Sequence, residues 1–177
     1  MLDPVIPLVI ALSLAALWLL AAAHKLRAFD AFSGVLADYR LLPARATGVC
    51  AAAVIGVELC LGIGLLMPIG RNFALTGSAL VLVLYAGAIA VNLVRGRRFI
   101  DCGCSGFAGQ QPLGVWLVVR NLLLALMAYI ATLPVQGRVL VWFDAVAVSA
   151  AVCVSAFLYA AINRLFAQGP DLARLRG

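Results

Sequence analysis

The chain is short of charge. Of its 177 residues only 11% are Asp, Glu, Lys or Arg, while 66% fall in the hydrophobic set, against about 25% and about 45–50% in soluble globular domains. A body of this size then has too little polar side chain to cover its surface, which excludes a water-soluble domain and turns the apolar residues towards lipid. Histidine is rarer still: His24 is the only one, so a His-rich metal site is excluded. Standing alone where the first apolar run ends, it reads as a solvated imidazole. The alternation of apolar and polar residues that barrel strands need is also lacking. That leaves helices as the structure able to satisfy every backbone group inside a bilayer. No Lys or Arg precedes the first apolar run, where Asp3 stands before it and Lys25 and Arg27 follow. These flanks are the reverse of a cleaved secretory signal, despite Ala21-Ala22-Ala23, so the run is expected to be a retained span.

Long apolar runs are abundant. A hydrocarbon core of ~30 Å takes ~20 residues of helix, and five runs approach that length: 4–23, 46–69, 73–94, 113–133 and 139–162. The expected fold is all-α, a polytopic membrane helix bundle forming a single domain over residues 1–177. It has five transmembrane helices, with four as the minimum because Asp144 interrupts the start of the fifth run. After the first span, Phe29, Phe32, Leu36 and Tyr39 recur at helical spacing, with Asp30 and Asp38 elsewhere on the wheel, until Pro43 ends the pattern. This predicts a short helix lying in the membrane interface, the alternative being an amphipathic surface connector.

Five spans place Lys25, Arg27, Arg40, Arg45, Arg95, Arg97, Arg98, Arg164, Arg174 and Arg176 on one side, and only Arg71 and Arg138 on the other. The positive-inside rule then puts the N-terminus outside and the basic side in the cytoplasm, as in a multi-pass protein of the inner membrane. The net charge of +6 reads as a cytoplasmic face against lipid, not as a nucleic-acid surface.

Polar groups at membrane depth are costly and are seldom kept without a partner or a task. Glu58 falls in the middle of the second run, Arg120 and Asn121 about two turns inside the fourth, and Asn92 in the last turn of the third. Glu58 and Arg120 are the expected interior ion pair, either ordering the bundle or assisting chemistry. Gly48, Ala52, Gly56, Cys60 and Gly64 form a stripe of small residues at four-residue spacing, expected to be a helix-packing seam. Cys60 is then a packing residue, and so is Cys153, near Ser149 and Ala145. Cys50, just inside the second run on the basic side, packs likewise or serves as a third thiol to the loop 95–112.

That loop carries the strongest local signal, Asp101-Cys102-Gly103-Cys104-Ser105-Gly106, directly after Arg95-Gly96-Arg97-Arg98. Two thiols separated by a glycine can react with each other. A disulfide closed across one residue is strained and hence oxidising. The arginines favour the thiolate, whereas Asp101 opposes it. Three readings stand side by side: a dithiol/disulfide exchange centre, a soft-metal site for Cu(I) or Zn using Cys102, Cys104 and Cys50 with His24 nearby, and a Gly-rich turn with incidental cysteines.

Several segments in order resemble the MauE branch of the DoxX-like membrane proteins. They are His24-Lys25-Leu26-Arg27, Tyr39-Arg40-Leu41-Leu42-Pro43, Glu58-Leu59 with Gly62 and Gly64, Asn92-Leu93-Val94-Arg95-Gly96-Arg97 leading into Asp101-Cys102-Gly103-Cys104, and Arg120-Asn121-Leu122-Leu123-Leu124. Together they cover about residues 10 to 130. Members commonly follow the second Cys with Phe-Gly, whereas here Ser105-Gly106-Phe107 displaces the aromatic. The resemblance implies an accessory protein for an exported enzyme, grouped with a thioredoxin-like, MauD-like partner. Its implied role is the processing, transport or maturation of the disulfide-rich β subunit of methylamine dehydrogenase.

The combined expectation is a membrane accessory resembling a thiol-disulfide oxidoreductase, with Cys102 and Cys104 as the exchanging pair and Arg120 and Glu58 as intramembrane support. Since the charge bias puts the pair opposite its exported client, electrons are relayed across the bilayer, or the loop folds back into a cavity lined by Glu58, Arg120 and Cys50 and open to a quinone. The alternatives are transport of a soft metal ion and a non-catalytic scaffold subunit.

Overall fold

The computed structural model describes residues 2–41, 43–97 and 113–174, the side chains of 44 and 167–174 apart. Its helices are α1 (Val5–Arg27), α2 (Phe29–Asp38), α3 (Thr47–Leu66), α4 (Arg71–Val94), α5 (Val115–Ile130) and α6 (Trp142–Arg174), with a 3-10 turn at Ala44–Ala46 before α3. Local chemistry explains the boundaries. The Asp3 carboxylate accepts the Val5 N–H at 2.9 Å and starts α1. Pro68 and Gly70 lie in the turn between α3 and α4. Gly96, at φ +74°, turns the chain out of α4 while the Arg97 N–H reaches back to the Asn92 carbonyl at 3.0 Å, the left-handed helix ending that favours glycine. Gly114 and Pro134 flank α5.

Among the described residues four helices, α1, α3, α4 and the Trp142–Phe166 part of α6, are long and apolar enough to cross a membrane. The 16 residues of α5 span about 24 Å at 1.5 Å per residue, less than the ~30 Å hydrocarbon core. The protein is thus a helical membrane-embedded bundle, and its exterior bears this out. Phe73 is 85% and Phe157 77% exposed, positions that only lipid makes inexpensive.

α1 runs antiparallel to α3. It extends a turn beyond the expected Ala23, so His24, Lys25 and Arg27 are helical. The two backbones come close where Gly62 faces Leu19, and a Cβ on Gly62 would lie 2.8 Å from that leucine's Cγ. The inward face of α3 is Thr47, Ala51, Ile55, Glu58, Gly62 and Leu65, recurring at intervals of three and four. The expected seam of Gly48, Ala52, Gly56, Cys60 and Gly64 is used only at Gly64, where a Cβ would lie 3.1 Å from Ala74 Cβ; Ala52 and Cys60 are exposed, and a Cβ on Gly48 or Gly56 would meet nothing within 4 Å. The burial of Glu58 fixes this rotation, because a carboxylate turned to lipid costs more than a small-residue stripe gains. Cys153 likewise faces outwards.

The central core joins Trp18 and Leu14 of α1 to Leu65 of α3, Leu75 and Leu82 of α4 and Ala125 and Ala128 of α5. α2 folds back across one end of the bundle. Its Phe32 packs with Ala22, Ala51 and Ile55, and Tyr39, just past its end, packs with Ile89, Leu113 and Leu117. α2 thus lies where a longer α1 would have continued beside the first half of α3. At the opposite end, the Arg138 guanidinium donates to the carboxylates of Asp3 (2.9 Å) and Asp144 (2.8 Å), tying the start of α1 to the connection into α6. Hydrogen bonding to Arg138 holds the Asp3 carboxyl below its usual value, and the two carboxylates push the guanidinium upward.

Candidate functional site: a buried polar centre

The interior of an apolar bundle should hold few ionised groups, yet Lys25 and Glu58 are 3% and 0% exposed and form a direct ion pair. The Tyr85 hydroxyl donates to the same Glu58 oxygen, Oε1, at 2.7 Å. The Lys25 ammonium lies 4.9 Å from the centre of the Phe32 ring and 5.4 Å from that of Tyr85, distances at which ring quadrupoles attract a cation. Around this centre, the Trp18 indole N–H donates to Ser78 Oγ at 2.9 Å, and the Trp18 and Tyr85 rings meet edge-on at 6.0 Å. Four helices therefore converge on one ion pair: α1 through Lys25, α2 through Phe32 against the ammonium, α3 through Glu58 and α4 through Tyr85. Glu58 Oε2 is buried with no hydrogen-bond partner, one of the few positions in the interior where an acceptor is left unmet.

The expected Glu58–Arg120 pair is not formed. Because α1 runs on to Arg27, Lys25 arrives beside Glu58 from the neighbouring antiparallel helix, and Arg120 serves elsewhere. Its Nη1 donates to Asn163 Oδ1 of α6 at 3.1 Å and its Nη2 to Asn121 Oδ1 at 3.5 Å, while the guanidinium carbon stands 5.8 Å from the Tyr159 ring. Arg120 thus joins α5 to α6. Asn92, fully buried in the last turn of α4, donates to the Ala88 carbonyl at 3.0 Å, leaving its Oδ1 without a partner, as is Asn121 Nδ2.

Cys50 is a half-buried free thiol in the first turn of α3. Cys102 and Cys104, with Asp101 and Arg98, lie outside the described residues. Among the described residues no three His, Cys, Asp or Glu side chains come together as metal ligands would, and His24 is exposed. A cavity of about 260 Å³ sits at the far end of the bundle between Pro7, Ile69, Arg71 and Val135, away from the polar centre. A second, of about 140 Å³, opens between α5 and α6 beside Arg120.

Lys25, Tyr85, Ser78 and Asn163 are absent from the sequence-based set of interior polar groups. Lys25 had a readable signal, since Ala11, Leu14, Trp18, Ala22 and Lys25 continue one buried face at spacings of three and four. Ending the helix at Ala23 hid it.

Set beside known proteins, the chain matches the family model described as methylamine utilisation protein MauE over residues 3–134. It is 38% identical over 129 residues to the methylamine utilization protein MauE of Paracoccus denitrificans, covering 72% of this chain and 69% of that protein. It is 38% identical over 136 residues to its counterpart in Methylophilus methylotrophus, covering 76% and 72%. No solved structure matches it.

Proposed function

The chain belongs to the family of the methylamine utilisation protein MauE, and from that premise we propose that it takes part in methylamine metabolism as a membrane accessory for thiol-disulfide exchange in the maturation of an exported protein. The observation that carries this reading is the Cys102-Gly103-Cys104 pair following Arg95-Gly96-Arg97, inside the stretch that the family match covers. One thiolate of the pair attacks a disulfide sulfur of the partner, forming a mixed disulfide and releasing the partner's other sulfur as a thiolate. The neighbouring cysteine then attacks the mixed disulfide, leaving a Cys102–Cys104 bond and a reduced partner; the reverse sequence oxidises the partner. The partners are a thioredoxin-like, MauD-like protein and a disulfide-rich exported client. The Lys25–Glu58–Tyr85 centre is the rigid support, fixing α1, α3 and α4 against one another.

The membrane is the inner one, with the N-terminus outside. With Lys25 assigned to the interior, nine basic residues remain on one side, namely Arg27, Arg40, Arg45, Arg95, Arg97, Arg98, Arg164, Arg174 and Arg176, against Arg71 and Arg138, a bias that still favours this orientation.

The test is labelling with a membrane-impermeant maleimide on intact cells and inverted vesicles, before and after reduction, combined with client maturation in a Cys102→Ser/Cys104→Ser double variant. The reading expects labelling of inverted vesicles that increases on reduction, and loss of maturation in the variant. Full maturation without either thiol would make the chain a scaffold. One bound ion per chain, lost in the variant, would make the pair a metal site.

A further inference from the structure

The two arginines at the Arg-poor end of the bundle are placed differently. Arg138 sits between the carboxylates of Asp3 and Asp144. Arg71, half-buried at the start of α4, has no carboxylate within 4 Å among the described residues. Its Nε donates to the Leu65 carbonyl at 3.3 Å, which anchors one edge of the guanidinium. Nη1 and Nη2 have no protein partner and are not sealed from their surroundings. Arg71 lines the cavity of about 260 Å³ together with Asn72, and no acidic side chain joins them there. Pro4, Pro7 and Pro68 stand in the wall. Their locked φ angles leave little to rearrange when something enters. Ile69 and Leu140 also line the cavity, and Ile69 is 99% exposed.

These features select a ligand by chemistry. An uncompensated guanidinium calls for an anion, and its planar fork of donors matches the oxygens of a phosphate. Exposed apolar side chains beside it call for lipid tails. The depth agrees, since Trp142 stands exposed two residues after Leu140, and such tryptophans settle at the headgroup level. The volume lies below the ~300 Å³ at which pockets for drug-sized molecules begin, so it admits a headgroup and leaves the tails outside. We propose that this cavity seats the phosphate of an anionic phospholipid such as phosphatidylglycerol, its oxygens accepting from Arg71 Nη1 and Nη2 and its acyl chains leaving over Ile69 and Leu140. The lipid supplies the counter-charge that the chain gives to Arg138 and withholds from Arg71. The seat stands on this cavity alone and does not depend on thiol exchange; in the orientation proposed above it lies in the outer leaflet.

The test is native mass spectrometry of the purified full chain, released from detergent micelles after titration with phosphatidylglycerol or phosphatidylcholine. One phosphatidylglycerol per chain is expected at saturation, with weaker retention of phosphatidylcholine, whose ammonium finds no carboxylate in the lining. Affinity should fall about tenfold in Arg71→Gln, the loss of one hydrogen bond to a charged group. Asn72→Asp gives Arg71 an internal counter-ion and should weaken binding as well. It keeps the test open even if Arg71→Gln does not fold, because Asn72 is exposed and a carboxylate favours the first turn of a helix. Arg27→Gln, at the opposite end, should leave the affinity unchanged. Equal retention of the two lipids, wild-type affinity in Asn72→Asp, or an equal loss in Arg27→Gln would each overturn the proposal. So would displacement by excess inorganic phosphate, which would make the cavity a site for the free anion.

Discussion

Lys25 and Glu58 invite a double-mutant cycle. Replacing Lys25 by Met leaves the Glu58 carboxylate, 0% exposed, with the Tyr85 hydroxyl as its remaining donor. Stranding one member of a buried pair costs about 3–5 kcal/mol. Replacing Glu58 by Met strands the ammonium between the Phe32 and Tyr85 rings. At about 1 to 2 kcal/mol each, these rings offset only part of a similar loss. The double variant strands no charge and takes away the Glu58 acceptor of the Tyr85 hydroxyl, at most about 1–3 kcal/mol. Removing both partners is therefore expected to be milder than removing either, with a coupling energy above about 3 kcal/mol, at the upper edge of what contacting residues show. Reversible unfolding in bicelles, followed by circular dichroism at rising SDS fraction, reads each corner. Because the pair is sealed from water, 0.05 and about 0.5 M salt should give the same coupling. Single-variant losses that add to within about 0.5 kcal/mol would refute the pairing.

Two glycines of α3 should respond in opposite directions in the same unfolding assay. Gly62→Ala drives a Cβ to 2.8 Å from Leu19 Cγ and is expected to cost about 1–3 kcal/mol, whereas Gly56→Ala enters open space and should stabilise by up to about 1 kcal/mol. Asn163→Ala removes the acceptor for Arg120 Nη1. It should cost about 1.5–3 kcal/mol and loosen α6, seen as faster amide exchange there than in α4. The Asp3 carboxyl is held below its ordinary 3.8, chiefly by Arg138. Its contribution is thus complete above that value and is lost as pH falls through the lower folded one. Arg138→Gln should move the carboxyl titration, followed by carbon NMR, back up towards 3.8, and an unchanged midpoint would refute the contact.

The helical membrane class was legible in composition and run length, because nothing else leaves so little charge and so many apolar residues in stretches near twenty. Helix rotation was harder to read. In α3, a stripe of small residues and a face containing Glu58 both looked plausible as the inward side. The deciding quantity, where Glu58 finds its cation, depends on α1 and not on the sequence of α3. Lys25 was hidden for a related reason: a charge after an apolar run resembles a loop, and only the fold-back of α2 over the helix end encloses it. Arg120 and Asn121 were recognisable as interior residues, but Asn163 lies 43 positions away in another helix, a separation that no local pattern spans.

The ion pair also constrains the order in which the molecule can be built. Lys25 and Glu58 stand 33 residues apart in the chain, so the first helix reaches the bilayer before its counter-charge does. In that interval an unpaired ammonium two residues from the helix end keeps to the headgroup level, where a long aliphatic stem lets it stay hydrated. Only when α3 arrives can α1 settle to the depth at which Lys25 meets Glu58, drawing α2 in behind it as a stopper. A Glu58-less chain would therefore leave α1 riding high and Phe32 and Tyr39 without the partners that cover them in the finished bundle.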